Sequence, residues 1–112
     1  MPEMSSRRVA VAPDHPAFAG HFPGQPLLPG VVLLGEVLEV LMREAPEALG
    51  TRPCVSAVKF LAPVRPGAGL EIRWTAPARQ RLRFEVWRHA EGDPPQGQLA
   101  ASGQLQQEGS SP

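Results

Sequence analysis

Cysteine occurs once in this 112-residue chain, at Cys54, so no internal disulfide can staple it and a reducing compartment is expected, by default the cytoplasm. A surplus of either charge is also lacking, because eleven Lys and Arg balance eleven Asp and Glu. Without a basic excess there is no electrostatic footprint for a phosphate backbone, which argues against nucleic acid as a partner. Long apolar runs are missing as well. The longest, Val31 to Met42, is interrupted by Gly35, Glu36 and Glu39 and is too short to cross a bilayer. The opening residues do not follow the charged, apolar, small-residue order of a secretory signal, so none is expected. No internal repeat and no compositional shift marks a linker, which makes residues 1–112 one expected domain. A chain of this size buries a modest share of its surface and gains from association with a second copy.

What the chain does have is proline and glycine, concentrated in "HPAFAGHFPGQPLLPG" from His15 to Gly30. Ahead of that stretch, Arg8 to Ala12 alternates as a short strand that Pro13 closes. Behind it, the apolar residues of Val31 to Glu44 cover nearly the whole circumference of a helix, which predicts burial on most sides. Pro29 and Gly30 start this helix, and Pro46, Gly50 and Pro53 end it. The second half changes period. Cys54 to Val64, Leu70 to Pro77, Arg81 to His89 and Gln98 to Gln106 read as strands, with turn signals at "RPGAG" (Arg65 to Gly69) and "EGDPPQG" (Glu91 to Gly97). Short connections between them predict an antiparallel meander. The expected class is therefore α+β, an antiparallel sheet of about five strands wrapped around one long buried helix.

"HFPGQPLLPG", from His21 to Gly30, resembles the signature of the hotdog-fold 3-hydroxyacyl-acyl-carrier-protein dehydratases: His-Phe-Pro-Gly-x-Pro, two apolar residues, Pro-Gly-Val, then the central helix. The likeness continues in order through "AVKFLAPVRPG" (Ala57 to Gly67), "LRFEV" (Leu82 to Val86) and "ASG" (Ala101 to Gly103). With no helix before the first strand, the chain is similar to the short type associated with aryl-polyene-like and other accessory fatty-acid pathways. The resemblance implies a site shared by two subunits. His21 stands where the family has its catalytic histidine, and Gly30 where a backbone N–H holds the thioester carbonyl. Phe22, Leu27, Leu28, Pro29 and Val31 would line the pocket. The family's second catalytic group, an Asp or Glu supplied by the partner subunit, falls five residues after that glycine, and here that residue is Gly35.

The implied reaction is reversible dehydration of a 3-hydroxyacyl thioester to a trans-2-enoyl thioester. A base must take a proton from C2, an acid must protonate the leaving C3 hydroxyl, and charge developing on the thioester oxygen must be held. Neutral imidazole suits the first task because its unperturbed pKa is about 6.5. N–H groups at a helix start suit the last. For the acid, Glu39 lies one turn beyond Gly35 on the same face, while Glu36 is rotated by about 100° from it; a water relay with no acid is the third arrangement.

Other readings remain open beside these. Glu39 and Arg43 are spaced to pair on the helix surface. Asp14, His15 and His21 lack a recognised metal-ligand spacing, so no metal and no cofactor is expected. His89 is expected in solvent, Cys54 in the core, and Trp74 and Trp87 on sheet faces or in a subunit contact. Arg79, Arg81, Arg83 and Arg88 form either a solvated strand face or a basic patch for an acidic acyl carrier protein and its phosphopantetheine-linked acyl chain. A homodimer is expected, and a higher oligomer or a complex with a paralogous subunit is compatible with it. Two other functions fit the same residues: a non-catalytic acyl-thioester or carrier-protein binding module, since the acid position is Gly35, and a hotdog thioesterase.

Overall fold

Alternation decides the sheet. The computed structural model of the protein describes residues 4–11, 30–49, 53–65, 67–78 and 81–107. Among these residues seven elements run in the order β1 (Ser5–Ala10), α1 (Gly30–Glu44), α2 (Pro46–Leu49), β2 (Pro53–Phe60), β3 (Gly69–Ala78), β4 (Arg81–His89) and β5 (Gln98–Gln107). In β4, Leu82, Phe84 and Val86 are buried while Arg81 and Arg83 are exposed, as the period of two requires. In β3, Leu70, Ile72 and Trp74 are buried in alternation with half-buried Glu71, Arg73 and Thr75. Trp74 is thus a core residue.

All strands pair antiparallel, in the order β1-β3-β4-β5-β2. Only β3, β4 and β5 form the expected meander; β2 does not neighbour β3 but pairs with β5 at the far edge. The expected strand running to Val64 stops at Phe60, and the next residues form a strap across the end of the sheet. Leu61 N and Ala62 N both donate to Ala100 O, at 2.8 and 3.2 Å, and Gly67 N donates to Val11 O at 3.0 Å, with Val11 N returning to Ala68 O at 2.9 Å. The "RPGAG" turn therefore ends a crossover and does not close a hairpin. Ala100 can serve the strap because β5 is bulged there: Val86 pairs with Ala101 and Trp87 with Leu99, which leaves Ala100 outside the β4 ladder.

Helix α1 buries Leu33, Val37, Val40 and Leu41, the i, i+4, i+7, i+8 pattern of a one-sided stripe. Leu41 and Val37 are 0% and 1% exposed, and full burial of such side chains contributes about 1.5–3 kcal/mol each. They meet Ile72, Leu82, Phe84, Val86 and Leu105 from the sheet and Val64 from the strap in one core cluster. The helix ends where Ala45 N donates to Leu41 O, 2.8 Å, and Pro46 begins α2. Burial on most sides is not what the single chain shows. Val31 and Met42 are 76% and 60% exposed, and Gly35 and Glu39 lie on the same open face. The apolar circumference exceeds what one sheet can cover. Cys54 is exposed on β2 and not in the core, because β2 is an edge strand open over most of its length. No helix among the described residues is long and apolar enough to cross a membrane.

Candidate active site

The start of α1 faces the strap. A cavity of about 370 Å³ lies between them, lined by Gly30, Leu33, Phe60, Leu61, Ala62, Pro63 and Val64. The Phe60 ring stands directly over Gly30: a Cβ built on that glycine would come within 3.0 Å of the ring carbons. Only glycine allows an aromatic wall this near the first helical amide, because any Cβ there would meet the ring. Helix N-termini carry unsatisfied N–H groups and a partial positive potential, a fit for an oxygen that gains negative charge.

Of the residues expected at the site, His21, Phe22, Leu27, Leu28 and Pro29 lie outside the described residues, as do Asp14 and His15. Gly30 is at the cavity. Val31 turns outward onto the open face. Gly35 meets nothing within 4 Å of an added Cβ, so this face of α1 is open in the single chain. Glu39 shares that face and is ion-paired with Arg43 at 3.2 Å, both side chains well exposed. A solvated i, i+4 pair of this kind contributes about 0.3–0.5 kcal/mol and does not tie the carboxylate down. Glu36 is half-buried, a different setting from that of Gly35 and Glu39.

Phe60, Leu61 and Pro63 escaped the sequence analysis as site residues. Their signal was present in "FLAPV", where alternation breaks and proline interrupts a strand. Arg88 was misassigned. Even-numbered positions of β4 face the helix, so Arg88 continues the inward row of Leu82, Phe84 and Val86, apart from Arg81 and Arg83. It is not a free member of a basic patch. Its Nε and Nη2 donate to the Asp93 carboxylate at 2.9 and 2.7 Å, and its Nη1 donates to Pro63 O in the strap at 2.7 Å. The Asp93 carboxylate also accepts from Ala90 N at 2.9 Å. Arg79 lies outside the described residues; Arg81 and Arg83 are exposed on the outer face.

That outer face holds its own network. Arg73 donates to Glu71 at 2.9 Å and its guanidinium stacks 4.6 Å from the Trp87 ring, whose Nε1 donates to Glu85 at 3.0 Å. His89, expected in solvent, is half-buried with Nε2 3.4 Å from Glu71. The Arg73 hydrogen bond lowers the Glu71 pKa.

The hydrogen bonds from Arg88, followed by that from Ala90 N, hold the Asp93 carboxyl below its ordinary value. A carboxylate with a depressed folded pKa stabilises above the unfolded pKa, about 3.9, and loses that contribution as pH falls through the folded value. The thermal midpoint is expected to drop on acidification from pH 5 toward 3 and below. Asp93→Asn should flatten that slope in a melting series; an unchanged slope would remove this pair from the acid sensitivity.

A family described as ApeI-like, ApeI dehydratase, matches residues 3–104. Among solved structures, the chain is similar to a protein from Erwinia carotovora subsp. atroseptica at 30% identity and TM-score 0.73, covering 92% of this chain and 81% of that one. It is similar to a chain of the dehydratase heterocomplex ApeI:P from Xenorhabdus doucetiae at 24% identity and TM-score 0.69, covering 92% and 85%. The dehydratase domain of the polyketide protein PpsC from Mycobacterium tuberculosis matches at 17% identity and TM-score 0.72, covering 97% of this chain and 40% of that one. The sheet wrapped on one helix is thus the hotdog fold expected from the sequence.

Proposed function

The chain belongs to the ApeI-like dehydratase family, and we propose that it interconverts 3-hydroxyacyl and trans-2-enoyl thioesters carried on acyl carrier protein, in an accessory pathway of the aryl-polyene or fatty-acid kind. The observation that carries this reading is the helix start at Gly30, open to a cavity beneath Phe60. In the proposed chemistry the thioester carbonyl accepts from the N–H groups at that terminus, and His21 takes the C2 proton. Charge on the thioester oxygen is then met by dipoles that need no reorganisation. The C3 hydroxyl leaves as water once protonated, by Glu39 first in order of preference, then Glu36, then a water.

The reading takes the protein as one hotdog domain over residues 1–112, at work in the cytoplasm as a homodimer. Support for a second copy comes from β2, an edge strand exposed on both faces that carries Val55 and Phe60 at 41% and 52% exposure. Uncovered edges of this kind pair readily with another strand. The open face of α1, with Val31 and Met42, points to the same need. A second reading is favoured by Gly35 itself: a paralogous dehydratase chain supplies the carboxylate, and the similar ApeI:P is itself a dehydratase heterocomplex.

Incubating pure protein with 3-hydroxyacyl and 2-enoyl carrier thioesters separates the alternatives. Interconversion supports the dehydratase, free thiol a thioesterase, and binding without either a carrier-binding module. Gly35→Glu meets no atom within 4 Å of its added Cβ in the single chain and is expected to raise the dehydration rate about tenfold or more if acid supply limits it, since a positioned general acid contributes about 10²–10⁴. A fall in rate would mean that the open space is itself required.

A further inference from the structure

The strap is anchored at its two ends by backbone hydrogen bonds, to Ala100 from Leu61 and Ala62 and to Val11 from Gly67. Between those anchors the Pro63 carbonyl is held by a side chain, Nη1 of Arg88, at 2.7 Å. Arg88 is itself clamped. Two of its nitrogens are used bidentately by Asp93, a planar fork that leaves the guanidinium little rotational freedom. Asp93 is held by the turn that Ala90 N and Asp93 N close, at 2.9 and 3.0 Å. The chain of contacts runs from the β4–β5 turn through Arg88 to Pro63, and Pro63 lines the cavity at Gly30.

We propose that Arg88, locked by Asp93, is a positioning residue for the thioester site, setting the height of the strap above the first turn of α1. The inference rests on the reading that the Gly30 cavity receives the thioester. Its physical basis is that an inward position of a core strand is filled by a charged group whose head is three-quarters or more out of solvent, at 20% exposure, with a partner carboxylate at 8%. Burial of such a pair costs desolvation that a hydrophobic residue would avoid. What the apolar residue would not provide is a donor for Pro63 O, and a carbonyl left without one would let the strap move. Reaction rates are sensitive to displacements of about 1 Å in the walls that orient a substrate. Arg65, also on the strap but exposed, serves as the control.

The test compares Arg88→Met, Arg88→Lys, Asp93→Asn and Arg65→Met with the wild type. The probes are 3-hydroxybutyryl and 3-hydroxyoctanoyl N-acetylcysteamine thioesters. Readouts are KM and kcat separately, and hydrogen exchange of the Leu61 and Ala62 amides. Arg88→Met is expected to raise KM about tenfold with a smaller change in kcat and to speed exchange at both amides. Arg88→Lys should recover part of the loss, because an ammonium reaches one acceptor set but lacks the fork; Asp93→Asn should fall between, and Arg65→Met should match wild type. A lowered melting temperature with wild-type KM and exchange would make the pair merely structural and overturn the inference. Should Arg88→Met not fold, wild-type KM and exchange in both Arg88→Lys and Asp93→Asn would overturn it equally. Wild-type protein that converts neither these probes nor the carrier-protein thioesters would sink the reading of this chain as a dehydratase that acts without a paralogous subunit, and the strap's dependence on Arg88 would then stand or fall on exchange alone.

Discussion

His21→Ala is expected to slow interconversion of 3-hydroxyacyl and 2-enoyl thioesters by about 10²–10⁴-fold, the usual contribution of a positioned general base. No other side chain of the "HFPGQPLLPG" motif can accept a proton near neutral pH, whereas neutral imidazole with an unperturbed pKa of about 6.5 can. Association and melting temperature are expected to stay at the wild-type values, and measuring both separates a loss of chemistry from a loss of fold. The check is steady-state kinetics on protein shown by size-exclusion chromatography to keep its assembly. Full rate in the variant would take His21 out of the chemistry and leave the module reading in its place.

Phe84→Ala is expected to cost about 3–5 kcal/mol of stability, the range for removing a buried aromatic ring from a packed core. Phe84 is 1% exposed at the centre of β4, and its ring fills the space above Gly103 on β5. A Cβ added to Gly103 would lie 2.7 Å from the Phe84 ring and 2.6 Å from the Ala57 carbonyl on β2. Gly103→Ala therefore overpacks from two sides, with an expected loss of about 1–3 kcal/mol or more. The two substitutions should not add: removing the ring relieves one of the two clashes, so the double variant should cost less than the sum. Because Ala57 O is backbone, relief should be incomplete. Denaturant unfolding of the four proteins checks this, and strict additivity would show that the ring and Gly103 do not share the same space.

Phe84 illustrates where sequence reading worked. "RLRFEVWR" announces β4 because its apolar residues recur at every second position, and any sheet that buries one face needs that period. Arg88 shows how the same pattern misleads. Grouped by charge with Arg81 and Arg83, it reads as solvated; counted by position, it belongs to the inward row, and its partners Asp93 and Pro63 come from separate parts of the chain. Position carried the information that residue type concealed. Cys54 failed for a related reason, since its apolar neighbours suggest a core strand and only the sheet order makes β2 an edge. For the candidate site, the motif identified Gly30 and the helix after it, while the opposing wall of Phe60, Leu61 and Pro63 was not marked as such.

By itself the sequence determined the local elements: the periods of β3 and β4, the helix that follows Gly30, and the family signature from His21 to Gly30. Each depends on residues within a few positions of one another, where propensity and hydrophobic period act directly. Tertiary structure decided the rest: that β2 crosses to the far edge, that the strap spans the sheet end, that Phe60 covers Gly30, and that Arg88 reaches Pro63. Those facts depend on groups brought together from distant parts of the chain. They are settled by which backbone donors and acceptors remain unpaired once the sheet has closed around the helix, and no local pattern encodes that remainder.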